Sequence, residues 1–182
     1  HHGRSVVPDG STDHRSDPAF TKRKPAVPVN LDALLRECVR SVRAEHPEVT
    51  ITTDLGPGDV DVDSVLSEVF SNIIENAAEH NTDADPKMWI DVDSTGESVR
   101  VVVEDNGPGI DDEELALARQ GTETPLEHGS GFGLAVIKWG TEIIGGDVSF
   151  EDGDPSGQVV SVEVPVLSGS DQTHSPRRDP AS

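Results

Sequence analysis

The sequence predicts an α/β domain, and three observations predict it. Apolar residues recur at three- and four-residue spacing in two long stretches, β-branched runs of strand length lie between and after them, and glycine-containing turns separate the two kinds of segment. The 182 residues suit one domain with a substantial core and polar ends to spare.

Asn30 reads as a helix N-cap, and Leu31, Leu34, Leu35, Cys38, Val39 and Val42 form one apolar face of a helix that ends before Pro47. Residues 49–53 (Val-Thr-Ile-Thr-Thr) read as a strand, followed by a Gly56-Pro57-Gly58 turn. Asp63 is the next N-cap candidate, heading a wide stripe of Val65, Leu66, Val69, Phe70, Ile73, Ile74 and Ala77. Residues 89–92 and 99–103 read as adjacent strands joined by the hairpin turn Ser94-Thr95-Gly96-Glu97. Residues 111–127 form a long polar connection with a short helix over 113–119, a length that suits a lid. A further helix carries Ala135, Val136, Ile137, Trp139, Ile143 and Ile144 and stops at Gly145-Gly146. Residues 148–150 and 159–166 make a closing hairpin. The domain is thus expected over residues 29–167. Residues 1–28, broken by prolines and glycines, are expected to form a disordered arm, and residues 168–182 a disordered tail. His14 lies in that arm without any surrounding helical period, so it reads as solvated linker.

The net charge of −21 argues against a nucleic-acid or anionic-membrane surface. Lys22, Lys24, Lys87 and Lys138 are the only lysines, a balance that resembles proteins of salt-loving cells. At molar salt the Debye length is roughly 3 Å, so the repulsion is screened there. Cys38 is the one cysteine, which excludes an internal disulfide or a cysteine-rich metal site and suits a reducing, cytoplasmic compartment. No apolar run approaches the ~20 residues of a membrane span and no signal peptide is visible, so no direct membrane insertion is expected. The opening residue is His1, which fits a fragment or a processed form.

Three motifs carry chemistry. The valine run 101–103 ends at Glu104-Asp105-Asn106-Gly107-Pro108-Gly109-Ile110, an acid at a strand end followed by a turn whose glycines allow close backbone approach; an Asp-Asn-Gly β-turn is the plain alternative. Asn72, Asn76 and His80 recur every four residues beside the second helix's apolar stripe. They serve either to tie helix to sheet or to aim an amide oxygen at a hydrated Mg²⁺ that holds phosphates. Gly129-Ser130-Gly131-Phe132-Gly133-Leu134 is a glycine-rich loop opening a helix, which gives either an anion site or close backbone packing. It is neither the dinucleotide fingerprint, since no strand directly precedes it, nor a P-loop, since it lacks Gly-Lys-Ser/Thr.

In this order and context, the motifs resemble the catalytic ATP-binding domain of sensor histidine kinases, within the wider GHKL group. The resemblance covers residues 29–167 and implies a Bergerat-type fold, a two-layer α/β sandwich with a mixed sheet covered on one face by helices. ATP would lie between helices and lid. The N box would span residues 72–81 and the two glycine boxes residues 105–110 and 129–134. Asp105 would accept a hydrogen bond from the adenine amino group, directly or with a bound water, and Gly109 would admit the purine, with Gly107 and Ile110 completing that box. Asn76 would ligate Mg²⁺ with Asn72 beside it, and His80 or Asn81 would lie near phosphates or ribose. Amides around Gly131 and Gly133, in the box that also holds Gly129, Ser130, Phe132 and Leu134, would hold the phosphate chain, with Arg119 as a candidate contact from the lid.

Two departures sharpen the expectation. Asn72 stands where the ATP-hydrolysing members carry a water-activating glutamate, and an amide cannot serve as a general base, so the histidine-kinase branch is favoured. No phenylalanine-centred motif is recognisable between residues 111 and 128. Residues 1–28 are also too short and proline-broken for the dimeric helical hairpin that presents the phospho-accepting histidine, and His1, His2, His14, His128 and His174 lie in arms or lid. The expected function is therefore binding of Mg-ATP and donation of its γ-phosphate to a histidine on a dimerisation domain outside this chain, upstream of a response regulator. A stand-alone serine/threonine kinase or regulatory module of the same fold is the alternative. A degenerate, non-enzymatic pocket fits less well, because all three boxes are intact.

Overall fold

A computed structural model describes residues 24–56, 58–120 and 130–167, with side chains at all of these but 117–120 and 130–132. Strand β1 (Pro28–Asn30) leads into helix α1 (Leu31–Glu45), whose start is fixed as expected: the Asn30 Oδ1 accepts the Ala33 N–H at 3.0 Å. The α1 stripe from Leu31 to Val42 is buried, and Arg43 near its end donates to the Ile51 carbonyl at 2.8 Å. Then come β2 (Thr50–Asp54), β3 (Asp61–Asp63), α2 (Leu66–Glu79), β4 (Lys87–Ser94), β5 (Ser98–Asp105), α3 (Asp112–Gln120), α4 (Ser130–Ile143), β6 (Asp147–Asp152) and β7 (Gln158–Pro165).

Five strands form one sheet in the order β2-β4-β5-β7-β6, with β2 parallel to β4 and every other pair antiparallel. Alternation along β5 sends Val99, Val101 and Val103 to a single buried face, and β4 adds Met88 and Ile90 to it. Phe70, Leu66, Ile74 and Val42 from the helices fill the space above that face. The result is the two-layer α/β sandwich, mixed sheet and one helical cover, that the motifs led us to expect. Helix α4 ends in a Schellman motif: the Gly145 N–H donates to the Glu142 carbonyl and the Gly146 N–H to that of Thr141, both at 3.0 Å, with Gly145 at φ +78°.

Four differences from expectation have local causes. The pair β1–β3 was not expected; each strand has three residues, too few for a period to register. Pro28 therefore stands opposite Asp63 in that ribbon, and the Ser64 N–H donates to the Val27 carbonyl at 2.9 Å. Asp63 is not the N-cap of α2, because it is occupied in β3 and its carboxylate instead accepts the Val65 N–H at 3.1 Å; the helix begins at Leu66 without a side-chain cap. Leu66, Val69, Phe70, Ile73 and Ile74 of the expected α2 stripe are buried, but Val65, just ahead of the helix, is 37% exposed, Ala77 is only partly buried, and Ala78 is buried at 3%. Finally, residues 130–134 of the second glycine box are already helical, as the opening of α4 (Ser130–Ile143), and not a loop ahead of it; Gly129 lies outside the described residues. Residues 1–23, the lid from residue 121 onward and the tail from residue 168 lie outside the described residues. Among those described, no helix is long and apolar enough to cross a membrane.

Candidate functional site

Asp105 closes β5, and the alternation that buries Val99, Val101 and Val103 buries it too, leaving it 9% exposed. Burial pushes this carboxyl above the ordinary aspartate range, while the backbone amides of Gly107 and Gln158 oppose that rise and the charge of Glu104 adds to it. Its Oδ1 accepts the Gly107 N–H at 2.8 Å. The next residue, Asn106, locks the turn to β4: its Oδ1 accepts from the Lys87 N–H at 2.7 Å and from Asn81 Nδ2 at 2.9 Å, and its Nδ2 donates to the Asp85 carbonyl at 3.0 Å. Gly109 takes φ +83°, and the Ile110 N–H donates to Gln158 Oε1 at 3.0 Å.

Gln158 and Gly157 were not singled out in the sequence, yet they hold this corner from the opposite side. Gln158 is 3% exposed, and its Nε2 donates to the Glu151 carbonyl at 2.8 Å while its Oε1 takes the Ile110 amide. Gly157, at φ +101°, passes so close that a Cβ there would overlap the Asp105 carbonyl oxygen. A Ser-Gly-Gln run at the mouth of a hairpin reads only as turn chemistry, and the signal of close approach emerges only when β7 is laid beside β5.

The glycine-box corner forms one end of a cavity of about 310 Å³. Ile73, Ala77, Ile110, Leu134, Ile137, Phe150 and Val160 give it apolar walls, and Asn76, Glu79, His80, Thr82, Glu114, Asp105 and Gln158 its polar groups. At the other end α2 meets α4. A Cβ on Gly133 would lie 3.0 Å from Asn76 Nδ2 and 3.4 Å from Asn72 Oδ1, so the absence of a side chain there lets both asparagines run against the first turns of α4. A helix start leaves its first amides without intrahelical partners and carries partial positive charge, and Gly131 and Gly133 fall in that stretch.

The structure thus brings Asp105, Gly109, Ile110, Asn76, His80 and Leu134 onto one cavity. Other expected residues sit differently. Asn72 Nδ2 donates back to the Glu68 carbonyl at 2.7 Å and does not line the cavity. Asn81 is committed to the fold, donating to the Lys87 carbonyl at 3.3 Å and to Asn106, and accepting the Asp83 N–H at 3.2 Å. Gly107 also stands behind the wall, as the donor to Asp105. Ser130, Gly131 and Phe132 are described as helical backbone, Arg119 as part of α3 without its side chain, and Gly129 and His128 lie outside the described residues.

Residues 61–168 match the family of histidine kinase-, DNA gyrase B- and HSP90-like ATPases. Sensor protein kinase CarS of Pseudomonas aeruginosa is 35% identical over 103 residues, 56% of this chain and 22% of that one. The tetrathionate sensor histidine kinase TtrS of Salmonella typhimurium is 34% identical over 110 residues, 59% of this chain and 18% of that one. The chain therefore spans about a fifth of the length of these curated relatives. In fold it resembles the nucleotide-free catalytic domain of histidine kinase ThkA, with TM-score 0.65 and 23% identity over 78% of this chain and 96% of that one. The mycobacterial sensor histidine kinase MprB gives TM-score 0.64 and 21% identity over 78% and 97%. The chain belongs to the histidine kinase-, DNA gyrase B- and HSP90-like ATPase family, and within it the curated relatives CarS and TtrS are sensor kinases.

Proposed function

We propose that the cavity takes Mg-ATP base-first and offers its γ-phosphate to a histidine on a dimerisation domain, from which a response regulator is then charged. The observation that carries this reading is that a single cavity joins the buried carboxylate of Asp105 to the contact between Asn76 and Gly133. Asp105 has one oxygen held by the Gly107 amide, which leaves acceptor capacity for the adenine amino group. Ile110, Leu134, Ile137 and Phe150 provide apolar surface for the purine. The amides at the start of α4 suit the phosphate chain, with His80 and Asn76 on the facing wall. Asn81 acts at one remove by fixing Asn106.

The residues also fit the metal. Among the described residues no group of three His, Cys, Asp or Glu is placed to hold an ion. Mg²⁺ bound through phosphate oxygens and water needs no such cage, and the Asn76 amide oxygen on the cavity wall would serve as its one protein ligand. The ion's contribution would be neutralisation of phosphate charge, which a chain of net charge −21 otherwise repels. In the transfer an imidazole nitrogen attacks the γ-phosphorus, the bond to the β,γ-bridging oxygen breaks, ADP departs and the imidazole loses its proton to solvent. The domain's part is positioning and charge compensation. Asn72, an amide already donating to the Glu68 carbonyl, is unsuited to activate water.

Incubation with γ-labelled ATP, alone and with a helical-hairpin acceptor, tests the reading. Acid-labile, base-stable label on the hairpin is the expected outcome; acid-stable label on a hydroxyl, or rapid release of free phosphate by the domain alone, overturns it. The acidic surface further supports a cytoplasm rich in salt: the melting temperature should rise between dilute buffer and molar KCl, and an unchanged value contradicts the halophilic reading.

A further inference from the structure

Gln158 opens β7 one step past the last pair of the β5–β7 ladder, Glu104 with Val159, and so comes beside Asp105. It is 3% exposed, lines the cavity, and has both ends of its side-chain amide tied to main chain. Oε1 takes the Ile110 N–H at 3.0 Å, and Nε2 donates to the Glu151 carbonyl at 2.8 Å. These bonds join three separate pieces of the fold: the start of β7, the end of the first glycine box and strand β6. The box lies close on the same side, since a Cβ on Gly109 would stand 3.2 Å from the Gly157 carbonyl oxygen and 3.8 Å from Gln158 Oε1. The main-chain amide of Gln158 in turn favours the charged form of the Asp105 carboxyl. One residue therefore ties the carboxylate and the Gly109–Ile110 backbone to a common frame.

The inference rests on the reading of the site as an ATP pocket, with Asp105 at the base. A carboxylate by itself does not choose adenine. Adenine brings it one amino group, whereas guanine presents N1–H and N2–H side by side, a pair that two carboxylate oxygens accept readily. Asp105 reads adenine only when the surrounding backbone fixes how the base is seated against it. We propose that Gln158 is a positioning residue for base selectivity: by holding the Gly109–Ile110 backbone in place relative to Asp105, its side-chain amide makes the pocket prefer adenine over guanine. It acts through these neighbours and needs no bond of its own to the base.

The test measures dissociation constants for ATP and GTP on the full chain, on Gln158→Leu and on Gln158→Glu, with their ratio as the readout. Val42→Ala, a buried truncation in α1 away from the cavity, is the control for lost stability alone. The parent should bind ATP about a hundredfold more tightly than GTP. Gln158→Leu, which leaves the Ile110 N–H and the Glu151 carbonyl without partners, should cut that ratio about tenfold. In Gln158→Glu a neutral carboxyl copies the amide, accepting from Ile110 and donating to Glu151, but an ionised one cannot donate. Its ratio should be low at neutral pH and climb toward the parent's as pH falls. The comparison is with the parent at each pH, because Glu79, His80, Asp105 and Glu114 line the same cavity in both chains. Val42→Ala should lower the urea midpoint and leave the ratio unchanged. Parental ratios in both Gln158 variants overturn the proposal, as does an equal drop in Val42→Ala or a parent that binds GTP as tightly as ATP. Should Gln158→Leu not fold, a ratio in Gln158→Glu that stays flat with pH overturns it alone. Failure of the ATP reading looks different: the unaltered chain binds neither nucleotide, or its ATP affinity is indifferent to Asp105→Asn.

Discussion

The two ends of the cavity are built on opposite plans. At the proposed base end, side chain and backbone are already bonded to one another: Asp105 to Gly107, Ile110 to Gln158, Asn106 to Lys87, Asn81 and Asp85. At the proposed phosphate end lie the first described turns of α4, and two asparagines from α2 press on them through the space that a glycine leaves. One end is a fixed reader with its conformation fully determined, and the other is an open set of donors whose partner has to come with the ligand. The difference teaches that a glycine box can serve opposite ends: in the first, glycines allow the backbone to close on itself, and in the second they leave room for a neighbour.

The contrast predicts opposite signs for two glycine substitutions. Gly157→Ala should be the most damaging change, because its Cβ has nowhere to go against the Asp105 carbonyl and its φ of +101° is strained for any L side chain. A loss of about 3 kcal/mol is expected, read as a lower urea midpoint, and a midpoint within error of the parent would mean the corner is not rigid. Asp105→Asn comes next and should leave the midpoint nearly in place while weakening ATP about a hundredfold. With the amide oxygen held by the Gly107 N–H, the NH₂ of the new side chain faces the adenine amino group, donor against donor. Retained affinity would remove Asp105 from the base site.

Gly133→Ala should separate stability from binding. Alanine is favoured over glycine inside a helix by up to about 1 kcal/mol, so the fold should hold or gain slightly. Its Cβ, however, would stand 3.0 Å from Asn76 Nδ2, displacing that side chain and weakening Mg-ATP by about tenfold. Equal affinity with and without the methyl group would show that Asn76 does not depend on this contact. The smallest effect is one of pH. Burial raises Asp105 above the ordinary 3.8, and the base end needs its ionised form, so ATP affinity should decline as pH falls toward the raised value. The empty domain runs the other way: the buried neutral acid is favoured, so this group's stabilising share is complete below 3.8 and disappears as pH rises through the raised value. Titration of ATP binding in the parent and in Asp105→Asn should show the decline in the parent alone.

The long periodic elements were legible in the sequence because burial imposes its own spacing: the α1 stripe, the Asn30 cap and the valines of β5 all lie where their pattern puts them. Asp105, Gly109, Asn76 and Leu134 were legible as well, since each belongs to a motif with local chemistry. What escaped depends on partners far along the chain. Asp63 has the composition of a cap, but Pro28, 35 residues earlier, pairs with it and takes it out of the helix start. Gln158 looks like any polar residue at a strand's beginning until β7 is set beside β5, 53 residues before it. Glu114 is one of several acids on a polar helix, and its place on the cavity wall distinguishes it from exposed Glu113.

The sheet order has a consequence for assembly. Strands β2 and β6 are its two outer edges, and a bare edge is a template on which another chain can add a strand. Here β2 ends in exposed Asp54, and β6 carries Asp147, Glu151 and Asp152, all exposed. A second copy approaching either edge would set carboxylates against carboxylates before any ladder could form. The same surplus of acid disfavours strand addition at these edges, and contact between two such domains is expected on another surface.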